Sequence, residues 1–165
     1  MPDSLIPQIT PGKSPGTYIM RMDYSPAWEQ KLLFLSDIHF DAKHCNRELL
    51  KQHLDQAQAE NAPVFIFGDL LDLMEGKQDP RASKNAMREE YLTEDYLGAV
   101  TADAASFLSP YAQNILLLGQ GNHEFEYRRR HEIDPLTIVA THLFAATGFR
   151  PVVAPYTGWL LLKYQ

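Results

Sequence analysis

Cysteine, long apolar runs and a leader pattern are scarce or absent in this sequence of 165 residues. The single cysteine, Cys45, excludes an intrachain disulfide. No run approaches the ~20 apolar residues that a membrane-spanning helix needs. The first sixteen residues carry four prolines, and they lack the basic start and apolar core of a secretory signal. We therefore expect a cytoplasmic protein without a membrane partner.

Positive charge is also in short supply. Fifteen Lys and Arg against 21 Asp and Glu give a net charge of −6. Non-specific binding to nucleic acid depends on a basic surface, so nucleic acid is not the favoured partner. A substrate that carries phosphate stays open, because bound metal ions can reverse the local sign of the charge.

Three short apolar runs predict strands that are buried on both faces: residues 31–36, 63–67 and 114–118. Residues 46–60 predict a helix between the first two strands, with Asn46 as its N-cap. This order of strand, helix and strand is typical of a parallel βαβ unit in an α/β fold. Further helices are predicted at residues 86–91, 94–108, 122–130 and 135–147.

The remaining segments suggest how the chain is organised. Residues 1–16 predict an N-terminal arm with little regular structure, and residues 17–165 form one α/β domain. Residues 73–113 form an insert of helices and loop within this domain. Residues 17–23 predict an edge strand. A fourth strand at 159–164 stops without a polar tail, so we expect an incomplete C-terminus and self-association through this exposed strand.

Polar residues follow each of the three predicted buried strands. They are Asp37, His39, Asp69, Asp72, Asn122 and His123. The carboxyl ends of parallel strands meet at one edge of a sheet, so these side chains should converge. Residues at i and i+2 of an extended chain point to the same side, so one ion could bind both Asp37 and His39. This mixture of carboxylate, imidazole and amide donors suits Mn, Fe, Zn or Mg ions.

The ordered series Asp-x-His, Gly-Asp-x-x-Asp and Gly-Asn-His-Glu resembles the calcineurin-like metallophosphoesterases. The resemblance covers residues 31–124 most clearly. It implies a two-sheet sandwich flanked by helices, of which this chain would hold the N-terminal part. It also implies a metal-dependent phosphoester hydrolase with a dinuclear metal centre and a bridging water as nucleophile.

The resemblance implies a role for each metal-site residue. Asp37 and His39 would hold the first ion, Asp69 would bridge both ions, and Asn122 would bind the second. Members of the family complete the site with a later histidine and a Gly-His-x-His motif. Residues 125–165 contain only His131 and His142, and neither fits that pattern. A second hypothesis is therefore an inactive or partner-completed binding or regulatory module on the same fold.

The resemblance also implies a catalytic pair. His123 would donate a proton to the leaving oxygen, and Asp72 would orient that histidine through a hydrogen bond. The substrate would be a small phosphoester or a nucleotide, with monoester and diester both open. Arg128 and Arg129 could contact its phosphate, or they could form a solvated helix face. Glu124 is interpreted as a supporting residue and not as a metal ligand.

Overall fold

The computed structural model describes residues 6–23, 26–73 and 87–164. Residues 74–86, near the start of the predicted insert, therefore lie outside the described residues. Within these ranges the strands are β1 (Ile9–Pro11), β2 (Thr17–Met22), β3 (Leu33–Leu35), β4 (Val64–Phe67), β5 (Ile115–Gly119), β6 (Val152–Ala154) and β7 (Trp159–Tyr164). The helices are α1 (Arg47–Ala59), α2 (Tyr96–Leu108), α3 (Asn122–His131) and α4 (Pro135–Thr147). Short 3₁₀ turns occupy Glu89–Tyr91 and Ser109–Tyr111.

The larger sheet has the strand order β3-β4-β5-β6, and all of its neighbouring strands are parallel. Side chains alternate between its faces, so Val64 and Ile66 point to the layer of helices α1, α2 and α4. Phe65 lies between them in sequence and packs with Leu117 against Met20 of the smaller sheet. The result is the mixed α/β, two-sheet architecture that the sequence predicts.

Local end signals explain the helix bounds. The Asn46 side chain accepts a hydrogen bond from the backbone N–H of Leu49 at 3.0 Å, which caps α1 as predicted. Pro135 occupies the first turn of α4, where its missing N–H leaves no bond unmade. Gly148 ends α4 with φ +78°, a left-handed conformation that favours glycine. No helix among the described residues combines the length and the apolar character that crossing a membrane requires.

The smaller sheet corrects two sequence-based predictions. Its strand order is β1-β2-β7, so β2 lies in the centre and the prediction of an edge strand is wrong. Strand β1 also gives the predicted arm regular structure, because residues 9–11 pair antiparallel with β2. β7 pairs parallel with β2, whereas the fourth strand of the larger sheet is the unpredicted β6. Strand partners are set by distant contacts that a local pattern does not contain.

Two further predictions fail in detail. The first strand is not buried on both faces, because β3 stands at the edge of its sheet and the Phe34 side chain is 53% exposed. The helix predicted at residues 86–91 is only the 3₁₀ turn Glu89–Tyr91 in the part that the structure describes. Both predictions rested on short local runs, apolar in the first case and helix-favouring in the second. Such a run does not show which other elements of the fold will pack against it.

Candidate metal centre

Two carboxylate side chains and one imidazole lie close together at the carboxyl ends of β3 and β4. Asp37, His39 and Asp69 each offer a ligand atom, and these atoms lie within 4.8 Å of one another. The backbone holds the first motif against the second: the N–H of Asp37 donates to Gly68 O at 3.2 Å, and the N–H of His39 donates to Asp69 O at 2.9 Å. The cluster is therefore built by main-chain pairing beyond the ends of the strands.

The backbone at this cluster is strained. Asp37, His39 and Asp69 have φ values of +54°, +47° and +50°, in the left-handed region that non-glycine residues seldom enter. Such conformations cost roughly 1–3 kcal/mol each and persist where the surroundings fix them, commonly at functional sites. The extended geometry that the sequence predicted for Asp37 and His39 is wrong. Left-handed turns, not strand alternation, bring the two side chains to the same place.

A second cluster places Asp72 between two histidines. His39, Asp72 and His123 also offer ligand atoms within 4.8 Å of one another. The Nδ1 of His39 lies 3.0 Å from Asp72 Oδ1. The Nδ1 of His123 lies 2.6 Å from the main-chain O of Asp72 and 3.3 Å from its Oδ1. Because these oxygens only accept, both Nδ1 atoms carry the proton and donate it.

Asp72 therefore contacts both histidines, whereas the sequence assigned it to His123 alone. The hydrogen bond to Asp72 raises the pKa of His39 above its ordinary value, and partial burial opposes that rise. The two imidazole rings meet edge to face, with centroids 4.8 Å apart. Asp72 thus fixes the orientation of a candidate metal ligand through its carboxylate, and of the candidate proton donor mainly through its main-chain O.

The third motif reaches the cluster through the first turn of α3. The backbone N–H of His123 donates to Asp69 Oδ1 at 2.9 Å, which ties the start of this helix to the second motif. Asn122 is the first residue of α3 and its side chain is exposed. Gly121 lies so near the second motif that an added Cβ would be 2.2 Å from the backbone N of Asp69.

Glu124 is fully buried beneath these motifs. Its carboxylate accepts hydrogen bonds from the backbone N–H groups of Asp69 at 3.1 Å, Leu71 at 2.9 Å and Gly121 at 2.9 Å. Burial raises the pKa of Glu124, and hydrogen bonds from the backbone of Leu71 and Gly121 act against the rise. Glu124 joins the loops after β4 and β5, in keeping with the supporting role expected from the sequence.

Replacing Glu124 by alanine is expected to destabilise the fold. The change leaves three buried N–H donors without an acceptor. At ~1–3 kcal/mol for each unsatisfied donor, we expect the free energy of unfolding to fall by about 3 kcal/mol or more. Denaturation in urea measures this change. The matched control is Glu126→Ala on the same helix, which removes surface ion pairs with Arg129 and Arg130 and should change stability little. Equal stability of the two variants would contradict the supporting role.

The remaining predicted residues lie outside these clusters. Arg128 and Arg129 are exposed on α3; Arg129 pairs with Glu126 at 2.8 Å, and Arg128 lies 3.9 Å from Asp134. Sequence reasoning also missed a residue of the site. Asp41 is buried and accepts hydrogen bonds from the backbone of the second motif. An acidic residue two positions after His39 was the only signal that could have pointed to it.

The fold and the cluster at its carboxyl edge define a class: a metallophosphoesterase-like α/β protein with two sheets and a site of acidic and histidine residues. Comparison with family models agrees, because the model of the calcineurin-like phosphoesterases matches residues 30–158. The chain belongs to this family, whose members are metal-dependent phosphoester hydrolases. No curated protein and no solved structure matches the chain significantly.

The residues present fit the divalent metals that this family binds. The cluster of Asp37, His39 and Asp69 offers oxygen and nitrogen donors within the reach of one ion. The Nδ1 of His39 is hydrogen-bonded to Asp72, which leaves Nε2 as the nitrogen that can bind an ion. A carboxylate bonded to the other ring nitrogen is the usual arrangement for a metal-bound imidazole.

Proposed function

We propose that this protein is a phosphoester hydrolase with a dinuclear metal centre. The observation that carries the proposal is the convergence of Asp37, His39 and Asp69 in a family of metal-dependent phosphoesterases. The three residues would hold the first ion. His39 would bind it through Nε2, because its Nδ1 donates to Asp72.

The second ion would share Asp69 and take Asn122 as its other protein ligand. Support comes from the bond between the N–H of His123 and Asp69 Oδ1, which places the start of α3 against that carboxylate. With two protein ligands, one of them shared, this ion should bind more weakly than the first. The pair of ions, Mn, Fe, Zn or Mg, would activate a water for attack on phosphorus and neutralise the developing charge.

His123 would serve as the proton donor to the leaving oxygen. Its Nδ1 is committed to the main-chain O of Asp72 at 2.6 Å, which leaves Nε2 for the substrate. Asp72 would orient the ring, and it would hold His39 in the same way. The side chain of His123 is only 13% exposed, so its orientation is restrained on most sides.

The substrate would be a small phosphoester or a nucleotide, with Arg128 or Arg129 as a contact for its phosphate. The acidic balance of the chain makes nucleic acid less favoured. The single Cys45 supports a cytoplasmic location, where thiols stay reduced. Self-association through β7 stays part of the proposal, since that strand pairs only with β2 in the described sheet and Trp159 is 75% exposed.

Hydrolysis of nitrophenyl phosphate and of bis-nitrophenyl phosphate with added Mn²⁺ tests this proposal. We expect slow metal-dependent turnover in the 165-residue chain, because the second ion is weakly held, and the loss of that turnover in Asp69→Asn. The matched control is Asp55→Asn, which removes an exposed carboxylate on α1 that pairs with Lys51. A chain that binds Mn²⁺ and cleaves neither ester would overturn the proposal in favour of the binding or regulatory module.

A further inference from the structure

A buried acid outside both metal-binding clusters holds the loop between them. Asp41 is only 2% exposed and accepts three hydrogen bonds. Its Oδ1 accepts from the backbone N–H of Asp72 at 2.6 Å, and its Oδ2 from that of Leu73 at 3.1 Å. The hydroxyl of Tyr96, in the first turn of α2, donates to Oδ2 as well.

Two buried carboxylates thus accept hydrogen bonds from consecutive parts of the backbone in and after the second motif. Glu124 accepts from Asp69 and Leu71, and Asp41 accepts from the next two residues along the chain, Asp72 and Leu73. Leu73 has φ +55°, an uncommon conformation for a bulky residue. Such a conformation persists where its surroundings fix it, and the bond to Asp41 is one of those constraints.

The position of Asp72 decides the position of both imidazoles. Its side chain accepts from His39, and its main-chain O accepts from His123. The peptide N–H of the same residue is the group that Asp41 holds. A shift of this backbone would therefore move the hydrogen-bond partners of both histidines together.

We propose that Asp41, itself held by Tyr96, is a positioning residue that fixes Asp72 and, through it, the imidazoles of His39 and His123. The effect on turnover rests on the function proposed above, whereas the effect on the imidazoles does not. A carboxylate suits this place because it accepts from all three donors. An asparagine would turn an NH₂ group toward at least one of them and leave a buried donor without its acceptor.

The test compares Asp41→Asn and Tyr96→Phe with a matched control, Tyr111→Phe. The hydroxyl of Tyr111 also donates to a carboxylate, Asp55 on α1, at 2.6 Å, and neither residue is among the partners described for Asp72. The first measurement is NMR of the imidazole Nδ1–H groups in the metal-free full chain. We expect the signals of His39 and His123 to shift or to exchange faster with water in the two test variants, and to stay unchanged in the control.

The second measurement is Mn²⁺ affinity and turnover. Substituting a residue that orients a metal ligand typically lowers metal affinity or activity about 10–100-fold. We expect Asp41→Asn to lower Mn²⁺ affinity or turnover by a factor in this range. Tyr96→Phe keeps the carboxylate and should lose less. Thermal unfolding of all variants separates positioning from general loss of stability.

Each outcome either supports or overturns the positioning role of Asp41. Unchanged imidazole signals in Asp41→Asn would overturn the positioning role, as would equal changes in all three variants. If Asp41→Asn does not fold, the comparison of Tyr96→Phe with Tyr111→Phe gives the answer. If the parent chain cleaves no ester, the proposed function fails on its own, and the imidazole signals still decide whether Asp41 positions the two histidines.

Discussion

Replacing His123 by alanine is expected to lower phosphoester turnover about 10²–10⁴-fold while the bound metal is retained, the usual range for losing a general acid. The structure supports this separation, because the ligand atoms of Asp37, His39 and Asp69 converge without His123. His123 instead donates through Nδ1 to the main-chain O of Asp72, so Nε2 is the atom that would transfer the proton in the proposed reaction. Turnover and metal content by elemental analysis are measured on the same preparation.

The choice of leaving group sharpens this experiment. The loss in His123→Ala should shrink for nitrophenyl esters and grow for alkyl esters, because a good leaving group needs less protonation. His142→Ala is the matched control, since His142 is exposed on α4. A His123→Ala variant that loses its metal and regains normal turnover when metal is restored would make His123 a ligand and not an acid.

The substitution Gly121→Ala is expected to abolish metal binding and to lower the free energy of unfolding. A Cβ at this position would lie 2.2 Å from both the backbone N and the Oδ1 of Asp69, closer than real Cβ contacts allow. Neither atom can yield by a rotation alone, because Asp69 N also donates to Glu124 and its Oδ1 accepts from His123. Overpacking of this kind typically costs ~1–3 kcal/mol.

Gly119→Ala is the matched control for this prediction. Gly119 ends β5 two residues earlier, and an added Cβ would meet its nearest neighbour, Ile66 O, at 3.5 Å, an ordinary contact. Urea denaturation and Mn²⁺ titration of both variants give the comparison. Wild-type metal affinity in Gly121→Ala would show that Asp69 is not needed where the structure places it.

Local signals explain how much of the fold the sequence predicts. Asn46 caps the first turn of α1, which begins at the next residue. Pro135 lacks an N–H that the first turn of a helix would leave unbonded, and α4 begins at this residue. The predictions that fail depend on contacts between residues that are distant in sequence. β2 was predicted as an edge strand, because nothing in residues 17–23 indicates that β1 and β7 lie on its two sides. β6 was missed because it has only three residues, with one buried side chain.

The candidate site follows the same division. Parallel strands must bring their carboxyl ends to one edge, which is why the motifs after β3, β4 and β5 could be grouped from sequence. The left-handed turns at Asp37 and His39, and the place of Asp72 between two histidines, depend on loop conformation. The same is true of Asp41, whose bonds are with residues 31 or more positions away along the chain.

The central claim is that Asp37, His39 and Asp69 bind a divalent ion together. Calorimetric titration of the metal-free chain with Mn²⁺ tests it most directly, with Asp37→Asn as the variant and Asp55→Asn as the control. Asparagine keeps the size of the side chain and tolerates the left-handed backbone, so the change removes charge with little effect on shape. We predict a tight site in the parent and the control that is much weaker in Asp37→Asn. Equal Mn²⁺ affinity in all three proteins, or none in the parent, would contradict the account.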